Sequence, residues 1–210
     1  ELLPTGPRWQ CRIIPTTHPT TEPVCLYWRD PLDCIEALLN NPCFADKLDF
    51  APQCVYTTAE KLVHMYSEWL TGQAAWDMQS QLPAGATLLG TILSSDQTNI
   101  SNMTGGRCAH PLLISVANIK MAWHNKASSH VFLLTALLPI AKFVHPIERM
   151  LSVLSHCLMH QCLDIILEPL KQAAKFGRMM SNLLGNLQYC FTPLASYIIE
   201  TPEAMMLTCV

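Results

Sequence analysis

The spacing of apolar positions changes part-way along this chain. From Asp30 to Asn40, DPLDCIEALLN puts Leu32, Ile35, Leu38 and Leu39 at helical intervals behind an aspartate cap and a first-turn proline, and predicts a helix ending near Asn41-Pro42. Thr58 to Leu70 has a threonine start, an early Glu60, and Leu62, Val63, Met65, Tyr66 and Trp69 at similar spacing, which predicts a second helix. TGQAAWDMQSQLPAG comes next, and Pro83-Ala84-Gly85 closes this part of the chain. Ahead of both helices, residues 1–24 are rich in proline and threonine without a period, so an extended arm or linker is expected there.

After residue 86 the pattern becomes short apolar runs bounded by turn residues. Thr87–Ser95, Pro111–Ile119 and His130–Ile140 have the length and composition of strands, with Gly105-Gly106 and HNKASS as turns between them. Residues 147–177 carry Leu151, Leu154, Leu158, Cys162, Ile165 and Ile166 on one helical face, with cations late and Pro169 expected to kink or end the first segment. Leu187–Thr192 and Leu194–Ile199 read as strand, interrupted at Pro193 and closed by Glu200-Thr201-Pro202. The expected architecture is α/β. Residues 1–86 form an extended arm and a helical, irregular N-terminal region, and residues 87–210 a mixed sheet of three antiparallel strands, a long helix and a parallel strand.

Composition narrows the function. Half of the 210 residues are hydrophobic, enough for a buried core. Thirteen Lys and Arg against sixteen Asp and Glu give a net charge of −3, so the electrostatic footprint of an autonomous nucleic-acid-binding module is missing. Any DNA contact is therefore expected to be local or to come from another part of a larger protein. The ten cysteines have irregular spacing and are expected to be mostly reduced. No signal-peptide pattern opens the sequence, which begins at Glu1 and reads as an excerpt. The apolar run Val131–Val144 is too short to span a bilayer and is broken by Pro139 and Lys142.

If the strand returning through the long helix lies beside the first strand, both C-terminal ends sit at one edge of the sheet, carrying Asp96 and Glu200. Neighbouring strands lie about 4.7–4.9 Å apart, and paired catalytic metals sit roughly 3.5–4 Å apart, so carboxylates at adjacent strand ends could share such ions. The commoner roles are plainer: an aspartate in SSDQTN forms an Asx-turn or a helix cap, and a glutamate before Thr-Pro ends a strand or starts a helix. Only their joint placement favours chemistry.

Four segments point further: WDMQSQLPAGATLLGTILSSDQTNIS (76–101), GGRCAHPLLISVANI (105–119), HQCLDIILEPLKQAA (160–174) and YCFTPLASYIIETPEAMMLTCV (189–210). In this order they resemble the Plavaka-type transposases, an abundant class of fungal cut-and-paste DNA transposases. The resemblance runs from about Trp76 to the last residue and, more loosely, over the N-terminal region. It implies a DDE enzyme with an RNase H-like core, here partial, in which Asp96 is the first catalytic aspartate and a ligand of Mg²⁺ or Mn²⁺. Glu200 would be the second ligand, standing where the family motif YIVDTPEA has aspartate. The third acidic residue would come from a later helix beyond Val210. The chain would then be a fragment, inactive alone, of a protein that cleaves and joins DNA at transposon ends in the nucleus, without membrane contact and with a homo-oligomer left open. The alternative is a catalytically inactive, domesticated remnant serving as a structural or protein-interaction module.

Other constellations are weaker. SHCLMHQCLD places His156 and His160 four apart with Cys157 and Cys162 nearby, but Cys157 points off their helical face and no second ligand cluster is present downstream. His110, His124 and His130 flank strand turns, where with Lys120 and Lys126 they could contact a nucleic-acid backbone or simply be solvated. Trp69 and Trp76 are expected to pack the N-terminal helices on the sheet.

Overall fold

Strand formation begins earlier than the proline-rich composition predicts. In the computed structural model, which describes residues 6–101 and 107–208, β1 (Gln10–Ile13) pairs antiparallel with β2 (Cys25–Trp28). These strands correct the expected irregular arm: the prolines at 15, 19 and 23 lie between them, where no ladder hydrogen bond is needed. The next element forms as predicted. In α1 (Pro31–Leu39) Asp30 caps the first turn, its carboxylate accepting from the Leu32 amide at 2.8 Å, and Leu32, Ile35, Leu38 and Leu39 are buried.

The helix expected over 58–70 does not form. Val55–Tyr56 (β3) and His64–Met65 (β4) make a small hairpin, with Lys61 at φ 56° in its turn. Leu62 is 76% exposed, so no core face rewards a helix here, and an isolated helix of that length is marginal. Instead Tyr56 and Tyr66 pack on either side of His64. A helix does form just after, α2 (Gln73–Gln81).

The run 87–95 is divided into β5 (Thr87–Leu88) and β6 (Thr91–Ser95). A hairpin of β7 (Thr98–Ser101) and β8 (Arg107–Ala109) comes next, and its expected Gly105-Gly106 turn lies outside the described residues. Then come β9 (Pro111–Val116), the single turn α3 (Met121–His124), β10 (Leu133–Leu137), α4 (Glu148–Phe176), β11 (Arg178–Ser181), β12 (Leu187–Phe191), β13 (Leu194–Ile198) and α5 (Thr201–Thr208). The main sheet has the order β1-β2-β10-β9-β6-β13. Strands β6, β9 and β10 form an antiparallel meander, and β13, reached through α4, runs parallel to β6. The sheet and its core thus continue across residue 86, because β2 pairs with β10.

Helix α4 holds the returning strand in place. Leu154, Leu158, Cys162, Ile166 and Leu170 recur every four residues and are buried, and the last four share a core with Leu89, Leu93, Leu112 and Ile114. By length and composition alone α4 could cross a membrane, but this stripe lies in the protein core. The helix runs through Pro169 rather than ending there. Burial of Ile166 and Leu170 on either side offsets the roughly 3 kcal/mol that an internal proline costs.

Between β5 and β6 lies Gly90, where a Cβ would lie 2.6 Å from the Trp69 ring. Its amide donates to Asn118 Oδ1 at 3.0 Å, and the Asn118 amide donates to the carbonyls of Leu88 and Asp49 at 2.9 and 2.8 Å. Asn118 is buried, so these partners have no water to replace it. Replacing Asn118 with leucine is expected to cost about 3 kcal/mol, since each orphaned group costs ~1–3 kcal/mol. Urea unfolding reads this directly, and a wild-type midpoint would show that the node contributes nothing.

Candidate functional site

The parallel pair β6–β13 contains a one-residue shift. Leu194 lies opposite Thr91, but Ser196 lies opposite Ile92, Tyr197 opposite Leu93 and Ile198 opposite Ser94. The extra residue, Ala195, is a bulge of the kind that re-aims the side chains beyond it. Continued two residues past the last pair, the shifted register sets Glu200 level with Asp96; without the bulge, Ile199 would be there. Both carboxylate residues are exposed, and both line one cavity of about 380 Å³ at the end of these strands. The sheet therefore brings the two acids to the same rim.

Beneath the rim lies a third carboxylate that sequence reasoning passed over. Glu203, in the first turn of α5, is 12% exposed at its side chain, and His110, just before β9, is 5% exposed. His110 Nε2 lies 3.0 Å from Glu203 Oε1, so Nε2 carries the proton and donates. Ser95 Oγ donates to the same oxygen. Its single proton is thereby committed, so the Tyr197 hydroxyl, 3.1 Å away, donates to Ser95. Burial holds the Tyr197 phenol above its usual range, with the Ser95 hydrogen bond acting the other way and Glu203 adding to the rise. The signal for Glu203 was present in ETPEA: a proline early in a helix with an acid in the first turn.

The family model described as Plavaka transposase matches residues 1–210. This chain belongs to the Plavaka transposase family. No curated protein and no solved structure matches it. Family membership covers the N-terminal strands and α1 as well as the segments around Asp96 and Glu200.

The basic and histidine candidates of this Plavaka chain occupy quite different surroundings. His110 is not a solvated turn residue, because it is buried against Glu203. His124 packs edge-on to Phe132 at 5.6 Å, and burial lowers its pKa, so it stays neutral at pH 7. Lys126 lies over the Trp123 ring at 4.5 Å, joined there by Lys47 at 4.1 Å. His130 is exposed in a left-handed turn. Trp69 closes over Gly90, while Trp76 is about half exposed, at 47%.

On α4 the zinc-like cluster splits between two faces: Cys162 is buried in the core while Cys157 is exposed. Cys34, Cys162 and Cys190 are unbridged, and burial pushes their thiols up to about 11, 12 and 11. Thiols so raised are poor nucleophiles at neutral pH. They remain neutral in the fold where the unfolded chain would ionise, so the stability they lend holds below about pH 8.5 and is lost as pH rises toward 11–12. At pH 8, iodoacetamide should label exposed Cys43 and Cys54 at least ~100-fold faster than the buried three, the rates converging in urea. Equal rates in the folded protein would contradict the burial described.

Proposed function

We propose that this chain carries the metal-binding carboxylates of an RNase H-like transposase centre, which in the full-length protein performs divalent-metal-dependent phosphodiester cleavage and strand transfer at transposon ends. The observation that carries the reading is that Asp96 and Glu200, each just past the end of one of two adjacent parallel strands, line one cavity. An antiparallel meander followed by a helix and a parallel strand supports the fold assignment. Family membership supports action on DNA.

The donor set fits a hard cation. Mg²⁺ takes oxygen ligands and retains several waters, so one or two protein carboxylates with substrate phosphate satisfy it. Asp96 and Glu200 supply such oxygens at an exposed rim, where water and a phosphate have access. A divalent ion held there would lower the pKa of the attacking hydroxyl and neutralise charge on the scissile phosphate. The task of the chain itself is orientation: two carboxylates presented to one cavity just past the ends of adjacent parallel strands, with α5 covering one side. Glutamate at 200 in place of the family's aspartate reaches one methylene further, and misplacements of ~1 Å can cost ~100-fold in rate. A net charge of −3 means that DNA is held by local contacts rather than by the overall field.

Titration with Mg²⁺, followed by amide NMR, tests the reading. Saturable shifts are expected at residues flanking Asp96 and Glu200, and each of Asp96→Asn and Glu200→Gln should weaken binding by about tenfold or more. Shifts that do not saturate, or that survive both substitutions, would leave an inactive structural module as the better description.

A further inference from the structure

We propose that the buried Glu203–His110–Ser95 cluster is a strut that sets the spacing of Asp96 and Glu200, which makes Glu203 and His110 positioning residues of the cation site. The proposal rests on the reading of Asp96 and Glu200 as metal ligands, and its structural half can be tested separately.

Two members of the cluster, Ser95 and Glu203, are each tied to one of the two acids through the chain. Ser95 immediately precedes Asp96, and Glu203 lies one helical turn after Glu200, whose carbonyl accepts from the Ala204 amide at 2.9 Å. A hydrogen bond from Ser95 to Glu203 therefore ties the residue next to one proposed ligand to the helical turn that begins at the other. His110 fixes the same carboxylate oxygen from a third element, the start of β9. Tyr197, past the Ala195 bulge on β13, completes the set through Ser95. Apart from these hydrogen bonds, the parallel pairing stops at Ser94 and Ile198, two residues short of both acids. The strut lies where the backbone ladder has run out.

Glu203 is itself a poor candidate for a third ligand. Its Oε1 takes two donors inside the protein, and among the described residues no group of three His, Cys, Asp or Glu is arranged to hold a metal. It lines the same cavity as Asp96 and Glu200, but with Oε1 committed to Ser95 and His110.

The experiment compares Glu203→Ala with Glu203→Gln in the complete chain, reading hydrogen exchange at the α5 amides and Mn²⁺ affinity by EPR. Alanine removes the acceptor, so exchange at α5 should rise and Mn²⁺ affinity should fall, each by about tenfold or more. Glutamine keeps a carbonyl that can accept from Ser95 and His110, and should return both readouts to within about threefold of wild type. Ser95→Ala, which removes one donor only, should fall between them and serves as the main comparison if Glu203→Ala does not fold. Wild-type exchange and affinity in the alanine or serine variant would overturn the proposal. Loss of Mn²⁺ in Glu203→Gln equal to that in Glu203→Ala would also overturn it, by making the charge a ligand. If the wild-type protein takes up no Mn²⁺, the metal-site reading fails on that arm, while the exchange arm still decides whether the strut exists.

Discussion

One extra residue in an edge strand sets which side chains stand at the end of the main sheet. The parallel pairing of 87–95 with 187–198 passes through two breaks, at Gly90 and Pro193, and is kept in register across both. The Leu89 amide donates to the Phe191 carbonyl and the Thr91 amide to the Pro193 carbonyl, each at 2.8 Å. Proline has no N–H to give, but at this position only its carbonyl is needed. The Ala195 bulge then advances β13 by one residue, and that register, continued two residues past its last pair, sets Glu200 rather than Ile199 level with Asp96. Register in a half-buried strand is strongly specified. Tyr197 and Ser95, joined by a hydrogen bond past the bulge, resist slippage back.

Long-range packing makes that local shift dependable. A parallel strand needs a crossover, and α4 supplies it, with Leu158, Cys162, Ile166 and Leu170 seated in the core beside the sheet. Helix α1 lies on the same core, so the N-terminal region is part of what holds the rim in place. The strand β13 has no further strand beside it among the described residues, and Leu194 and Ile198 are exposed along it. An edge of this kind is a template for pairing with another chain.

The legible parts of the sequence were those in which one signal dominated. Asp30-Pro31 and the Leu32 to Leu39 spacing defined α1 almost to the residue, and the leucine stripe defined α4. Strand identity was readable over 111–116 and 187–198 from composition, and the shared rim of Asp96 and Glu200 followed from connectivity. Thr58–Leu70 misled because helical spacing says nothing about whether a core exists to receive the face, and Leu62 and Val63 remain exposed. Strand β1 was hidden because its four residues are all exposed and gain their order from pairing alone. Glu203 and His110 were invisible as a pair for a related reason. They are 93 residues apart, and nothing in either local pattern records that their side chains meet in the interior.

The central claim is that Asp96 and Glu200 grip the same ion. The most direct measurement is anomalous diffraction from crystals of this chain soaked in Mn²⁺. An anomalous peak is expected at the end of β6 and β13, with oxygens of both residues about 2.1–2.2 Å from it, close to the spacing expected for hard octahedral cations. Well-ordered carboxylates without a peak between them, or Mn²⁺ bound only elsewhere on the molecule, would contradict the claim.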